Sequence, residues 1–358
     1  MSEQKTAISR RGVLKRASAA GVIAGLQSSG LHRAAMAGAL GEAAGIHVIE
    51  ESGYTRITGS DEDRAQFARL AESAKSLPAY RGVVNVEELR AGTVAFANGP
   101  LARPVSADIK MTPVDAGGVS CVWFETPRVR KNASVLYFHG GGYVAGSIEA
   151  SRGIAASLCE SLNAPVLAVG YRQAPEAPFP AAKNDALASY EWLTRNHSGA
   201  ITIAGDSAGG TLAIVLAQQA ALRGLPKAVA VIAASPWFDL SMSGDSWERF
   251  RGRDLVTPEL GAYFVSLYLG GAKTIPEGAS VSYSDFSDLP PILIQMGGVE
   301  GALDDALRWA EAARESGADV TVEVYSDMPH NFGKFANPIA DLTYARMRDW
   351  RLKIIDRI

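Results

Sequence analysis

Ile201-Thr202-Ile203-Ala204-Gly205-Asp206-Ser207-Ala208-Gly209-Gly210-Thr211-Leu212-Ala213-Ile214-Val215-Leu216 is the stretch whose reading decides the fold. Its first four residues are β-branched or small, as in a strand buried on both faces. The apolar run from Thr211 opens a helix that the sequence carries to about residue 223. Between them lies Gly-x-Ser-x-Gly, a weak pattern on its own, because any glycine-rich turn with an incidental serine matches it. The strand before and the helix after give it meaning. So tight a reversal needs glycine where a Cβ would clash, and it leaves the Ser207 hydroxyl at the tip. The helix N-terminus beneath favours negative charge.

A nucleophile needs partners, and the flanking sequence supplies candidates. Upstream, His139-Gly140-Gly141-Gly142-Tyr143 follows the apolar run Val135-Leu136-Tyr137-Phe138. Glycines let backbone N–H groups approach a reacting carbonyl oxygen closely, so the amides of Gly141, Gly142 and Ala208 are the expected oxyanion donors. His139 reads as a brace for that loop. The chain has five histidines. His32 lies in the leader, His47 in the N-terminal segment, and His197 ends a helix. His330, after the last strand in Ser326-Asp327-Met328-Pro329-His330-Asn331-Phe332, is placed to face Ser207, because parallel sheets put their chemistry at the C-terminal ends of strands. The acid should follow the preceding strand, in the order Ser, acid, His. Glu300 lies four residues past Ile292-Leu293-Ile294-Gln295-Met296. Asp304 is the alternative, although helix capping explains Asp304 and Asp305 adequately. Asp327 reads as solvated.

Further out, strand and helix signals alternate. Strands are expected at 105–111, 119–125, 135–139, 166–171, 201–204, 228–234, 292–296 and 320–325, the first two as a hairpin. Helices are expected at 149–162, 181–196, 208–223, 257–269, 302–316 and 339–355. The alternation predicts an α/β fold, a mostly parallel central sheet of about eight strands with helices on both faces. Residues 240–274 are long enough to carry cap helices. The segment 38–104 reads differently: a hairpin over 46–58, a helix over 61–76 ended by Leu77-Pro78, and a loop over 92–104. It is a lid, an oligomer contact or plain packing. The domain plan is a leader at 1–37, a cap segment at 38–104 and a catalytic domain at 105–358.

Composition narrows the class. Lys and Arg number 35 against 38 Asp and Glu, a net charge of −3, and 47% of the 358 residues are hydrophobic. That balance argues against nucleic acid as the partner and against disorder. Cys121 and Cys159, the only cysteines, cannot make a disulfide framework or a four-thiolate zinc site; both are expected as free buried thiols. No apolar run reaches the roughly 18 residues a spanning helix needs. Ser9-Arg10-Arg11-Gly12-Val13-Leu14-Lys15, a short Ala/Gly-rich apolar stretch, and Ala35-Met36-Ala37 have the order of a twin-arginine export signal cleaved after Ala37. A periplasmic or secreted location is expected.

With these residues in place, the chain resembles the bacterial hormone-sensitive-lipase-like (family IV) esterases of the α/β-hydrolase superfamily over about 105–358. The resemblance rests on 139–143, on Tyr171-Arg172-Gln173-Ala174-Pro175-Glu176, on 205–210, on Ser235-Pro236-Trp237 with Asp239, on Leu289-Pro290-Pro291 and on Met328-Pro329-His330. Members usually carry Asp-Pro-Leu where this chain has Glu300-Gly301-Ala302, and a subset uses glutamate there. The resemblance implies a serine carboxylesterase with no metal and no organic cofactor, a small-molecule ester as partner, and a homodimer. The ester would be short-chain or, given the expected export, a xenobiotic methyl ester such as a herbicide. Tyr143, Trp237 and Phe238 are candidate pocket residues. A lactonase or amidase with the same triad, or a non-catalytic small-molecule binder, are the competing readings.

Overall fold

The computed structural model describes residues 46–76, 85–130, 132–284, 286 and 288–356. The expected leader and the opening of the N-terminal segment lie outside them. The strands are β1 (His47–Glu51), β2 (Tyr54–Thr58), β3 (Lys110–Asp115), β4 (Ser120–Glu125), β5 (Ala133–Phe138), β6 (Val166–Val169), β7 (Ala200–Asp206), β8 (Ala230–Ala234), β9 (Ile292–Gly297) and β10 (Val320–Ser326). The helices are α1 (Asp61–Ala74), α2 (Val86–Ala97), α3 (Arg152–Leu162), α4 (Ala181–Asn196), α5 (Ala208–Leu222), α6 (Ser246–Arg249), α7 (Pro258–Tyr268), α8 (Leu303–Glu315) and α9 (Pro338–Ile355).

All ten described strands join one sheet in the order β1-β2-β10-β9-β8-β7-β5-β6-β4-β3. From β2 to β6 in that order the pairings are parallel. β1, β3 and β4 make the antiparallel pairings at the two ends. Alternation along each strand divides the core. In β5, Val135 and Tyr137 pack with Leu158 of α3 and with Tyr344 and Met347 of α9. Leu136 and Phe138 face the other way, toward Leu212 and Leu216 of α5 and Trp309 of α8. Each such large side chain contributes about 1.5–3 kcal/mol on full burial. The result is helices on both faces, with register pairing Phe138 with Gly205, Gly205 with Ala233, and Gly297 with Tyr325. The loops after β5, β7, β8, β9 and β10 therefore leave the sheet along one edge.

Three differences from expectation have local causes. The hairpin at 46–58 extends the sheet rather than capping it: β2 pairs with β10, and Ile57, fully buried, packs with Phe67 and Tyr325. With it, the described sheet reaches ten strands against an expectation of about eight. The strand expected at 105–111 is displaced to β3, whose Pro113 is tolerated because β3 is the sheet's outer edge. Part of the loop expected at 92–104 is helical. Asn85 caps α2, its side chain accepting the Glu88 N–H at 3.1 Å, and Gly92 sits mid-helix at a cost of about 1 kcal/mol relative to alanine.

Cys121 and Cys159 are free and buried, and burial pushes each thiol up to about 12. Among the described residues no helix is long and apolar enough to cross a membrane.

Candidate active site

β7 ends at Asp206 and α5 begins at Ala208, so Ser207 alone makes the reversal, at φ 53° and ψ −127°. A non-glycine residue holds such a backbone only where its surroundings dictate it. Here the Ser207 N–H donates to the Ala234 carbonyl at 2.8 Å, and its own carbonyl accepts the Thr211 N–H at 3.1 Å. A Cβ at Gly209 would run into the Phe138 carbonyl, which is why glycine lets α5 lie against β5.

The structure brings Ser207, His330 and Glu300 into line. His330 Nε2 lies 2.8 Å from Ser207 Oγ, and His330 Nδ1 lies 2.9 Å from Glu300 Oε2. Glu300 is fully buried. Its other oxygen accepts the Ser235 hydroxyl at 2.6 Å and the Gly297 N–H. Burial by itself pushes the His330 imidazole down, but the charge and hydrogen bond of Glu300, with the charge of Asp254, outweigh it. Lys334 opposes them, and the net position is above the ordinary histidine value. Asp304 is engaged elsewhere, accepting the Ser246 N–H at 3.0 Å and the Arg249 guanidinium at 2.5 Å. Asp327 pairs with Arg253 at 2.6 Å.

Two buried carboxylates at the site, Asp206 and Asp254, have no assignment from the sequence. Asp206 accepts from the Tyr137 hydroxyl at 2.5 Å, the Gly140 N–H at 3.2 Å and Asn331 Nδ2 at 2.6 Å, joining the three loops around the nucleophile. Its place between Gly205 and Ser207 was the available signal. Asp254, in the insertion between β8 and β9, accepts the N–H groups of His330 at 2.7 Å and Gly301 at 2.9 Å. Burial pushes its carboxyl up to about 6, against the pull of His330. No local pattern marked it.

The glycine loop passes directly over the elbow; a Cβ on Gly140 would come within 2.9 Å of Ser207 Cβ. Gly141 (φ 117°) and Gly142 (φ 61°) occupy left-handed backbone, and Ala208 opens α5 beside them. His139 braces this loop. Its ring stacks on Tyr171 at 4.3 Å, and burial pushes the imidazole down, so the neutral ring's Nδ1–H donates to the Gly140 carbonyl at 2.8 Å.

A cavity of about 460 Å³ opens beside this corner, its wall including Leu89, Phe96, Gly141, Asp206, Asn331 and Lys334. α2 roofs it. Arg90 donates to the carbonyls of Val144 at 2.8 Å and Ala174 at 3.0 Å and pairs with Glu176 at 2.8 Å, while Thr93 Oγ1 donates to the Ala145 carbonyl at 2.9 Å. The described part of the N-terminal segment thus splits into a sheet extension, a packed helix α1 and a helix α2 that lies over the cavity. The aromatic candidates are corrected: they are core, not wall. Tyr143 stacks on Tyr268 at 3.9 Å, Phe238 packs on Trp309 at 5.0 Å, and Trp237 lies 6.2 Å from Trp247, all three buried. Loop and insertion close over them.

A serine at a strand-to-helix elbow, in line with a histidine and a buried carboxylate on a mostly parallel sheet, defines the α/β-hydrolase class. The comparisons agree. A family model described as alpha/beta hydrolase fold matches residues 135–334. An acetyl-hydrolase of Streptomyces hygroscopicus is 37% identical over 221 residues, 61% of this chain and 73% of that one. A carboxylesterase of Mycobacterium tuberculosis is 30% identical over 298 residues, 79% of this chain and 85% of that one. A crystal structure of an esterase from the bacterial hormone-sensitive lipase family superposes with a TM-score of 0.76 at 31% identity, covering 83% of this chain and 99% of that one. The chain belongs to the α/β-hydrolase family, on its hormone-sensitive-lipase-like esterase branch, and is a carboxylic ester hydrolase by class.

Proposed function

We propose that the chain hydrolyses small carboxylic esters through an acyl-enzyme on Ser207. The observation that carries this reading is the unbroken hydrogen-bond chain from Ser207 through His330 to Glu300. His330 takes the hydroxyl proton as Ser207 Oγ attacks the ester carbonyl, and Glu300 holds the imidazole's tautomer and stabilises its cation. The tetrahedral oxygen takes hydrogen bonds from the N–H groups of Gly141, Gly142 and Ala208, donors each worth about 100–1,000-fold in turnover. His330 returns its proton to the departing alcohol, then activates water, which attacks the acyl carbonyl and releases the acid.

The size of the cavity supports short acyl and alcohol parts over long chains, and a small xenobiotic methyl ester fits the same description. The twin-arginine pattern at Arg10-Arg11 supports export to the periplasm or beyond, with cleavage after Ala37. N-terminal sequencing of the secreted protein tests that. A homodimer, implied by the family resemblance, belongs to the same proposal and is tested by light scattering.

Hydrolysis of p-nitrophenyl esters from acetate to palmitate, with Ser207→Ala as control, tests the activity. Turnover of the short esters, abolished in a folded Ser207→Ala protein, is expected. Full activity in that variant would overturn the mechanism.

A further inference from the structure

We propose that Lys334 makes the cavity under α2 selective for an ester bearing a negative charge, a carboxylate above all, on the acyl or alcohol part remote from the scissile bond. This rests on the esterase reading and adds a substrate class to it.

The cavity wall is largely apolar, yet four charged residues are among those lining it: Glu88, Arg103, Asp206 and Lys334. Three of them need nothing from a ligand. Arg103 pairs with Asp341 at 2.7 Å and donates to Ser157 Oγ at 2.8 Å. Asp206 has both carboxylate oxygens engaged by Tyr137, Gly140 and Asn331. Glu88 is exposed in the first turn of α2, where water and the helix N-terminus stabilise its charge.

Lys334 is different. It sits at the end of the short turn Phe332–Lys334, four residues past His330, with its ammonium 4.9 Å from the Phe96 ring of α2 and 5.5 Å from the Phe335 ring. The ammonium has no hydrogen bond or ion pair among the described residues. The rings offer partial compensation, and the charge of Asp206 draws on it without contact. Burial nevertheless prevails and lowers the Lys334 ammonium below the ordinary lysine range. A cation drawn out of water without a counter-ion is costly, and the cost is relieved when a bound anion supplies one. A neutral ester leaves Lys334 as it is. An ester carboxylate completes it with a charge-assisted hydrogen bond of the strong kind. A cavity of about 460 Å³ has room for a small ester extended by one carboxyl group.

Two isosteric pairs test this by pH-stat. Monoethyl succinate against ethyl levulinate places the charge on the acyl side. The acetyl ester of β-hydroxypropanoate against its methyl-ketone isostere places it on the alcohol side. In the wild type, kcat/KM should favour the charged member of at least one pair by about tenfold or more, and the pair that responds assigns the side. Lys334→Met or Lys334→Gln, whichever folds, should erase that ratio, and Lys334→Arg should retain most of it. A wild-type preference for the neutral member of both pairs overturns the proposal, as does a charged preference surviving in Lys334→Met or Lys334→Gln. Absence of turnover on all four esters removes the esterase reading itself, whereas turnover without charge preference removes only this one.

Discussion

Asp254 holds His330 by its backbone: one carboxylate oxygen accepts the His330 N–H at 2.7 Å, and the other accepts the Gly301 N–H at 2.9 Å. A single buried side chain from the insertion between β8 and β9 thus ties the loop of His330 to the loop of Glu300. Asp254 also accepts the Leu255 N–H, so Asp254→Asn turns an amide NH₂ toward at least one backbone donor, a buried mismatch costing about 1–3 kcal/mol. We expect kcat to fall by about tenfold or more with a smaller change in KM. Losing the negative charge beside the imidazole also lets the His330 pKa drop. The acidic limb of the pH–rate profile should move to lower pH in the variant, and an unmoved limb would reduce Asp254 to a packing role.

The wild-type profile has its own signature. In the proposed mechanism His330 takes the Ser207 proton only when neutral, and Glu300 and Asp254 raise its pKa above the ordinary 6.5. Activity should therefore be lost as pH falls through a midpoint above 6.5. A kcat/KM profile on a neutral ester reads that midpoint for the free enzyme; a value below 6.5 would contradict the electrostatics described.

Glu300 and Asp304 are separated by geometry and should be separated by kinetics. Glu300→Gln leaves an amide against His330 Nδ1 and favours the wrong tautomer, with an expected loss in kcat of about 10⁴-fold. Asp304→Asn touches only Ser246 and the part-exposed Arg249 pair. It should leave kcat near wild type and cost about 1 kcal/mol or less in chemical denaturation. Comparable losses in both variants would contradict this assignment.

The seat of α2 over the cavity depends on Arg90. Its ion pair with Glu176 is largely exposed and worth about 0–1 kcal/mol. Its bonds to Val144 and Ala174 are what fasten α2 to the glycine loop and to the segment after β6. Arg90→Ala should raise KM for short esters several-fold with a lesser effect on kcat, and global stability should change little. Steady-state kinetics with a melting curve check both.

What the sequence made legible is local. Gly205 to Gly210 read correctly as an elbow because sterics leave few residue types at such a reversal, and Val135–Phe138 and Ile292–Met296 read as strands because they are apolar on both faces. His330 and Glu300 could be nominated because strand order fixes which loops share an edge. Relationships made by distant residues stayed hidden. Nothing within 46–58 says that β2 will pair with β10. Gly92 and Thr93 disguise α2 as a loop. Trp237 and Phe238 have the same composition whether they line a cavity or fill a core. Asp254 lies in irregular chain, and only the tertiary structure brings it to His330.

The most direct test of the catalytic chemistry is intact and peptide mass spectrometry of the purified protein, acid-quenched during steady-state hydrolysis of p-nitrophenyl acetate. One acetyl group on the peptide bearing Ser207, absent after hydrolysis is complete and never formed in Ser207→Ala, is the expected result. Turnover with no acyl adduct under any quench, or an adduct on another residue, would contradict a covalent mechanism at Ser207.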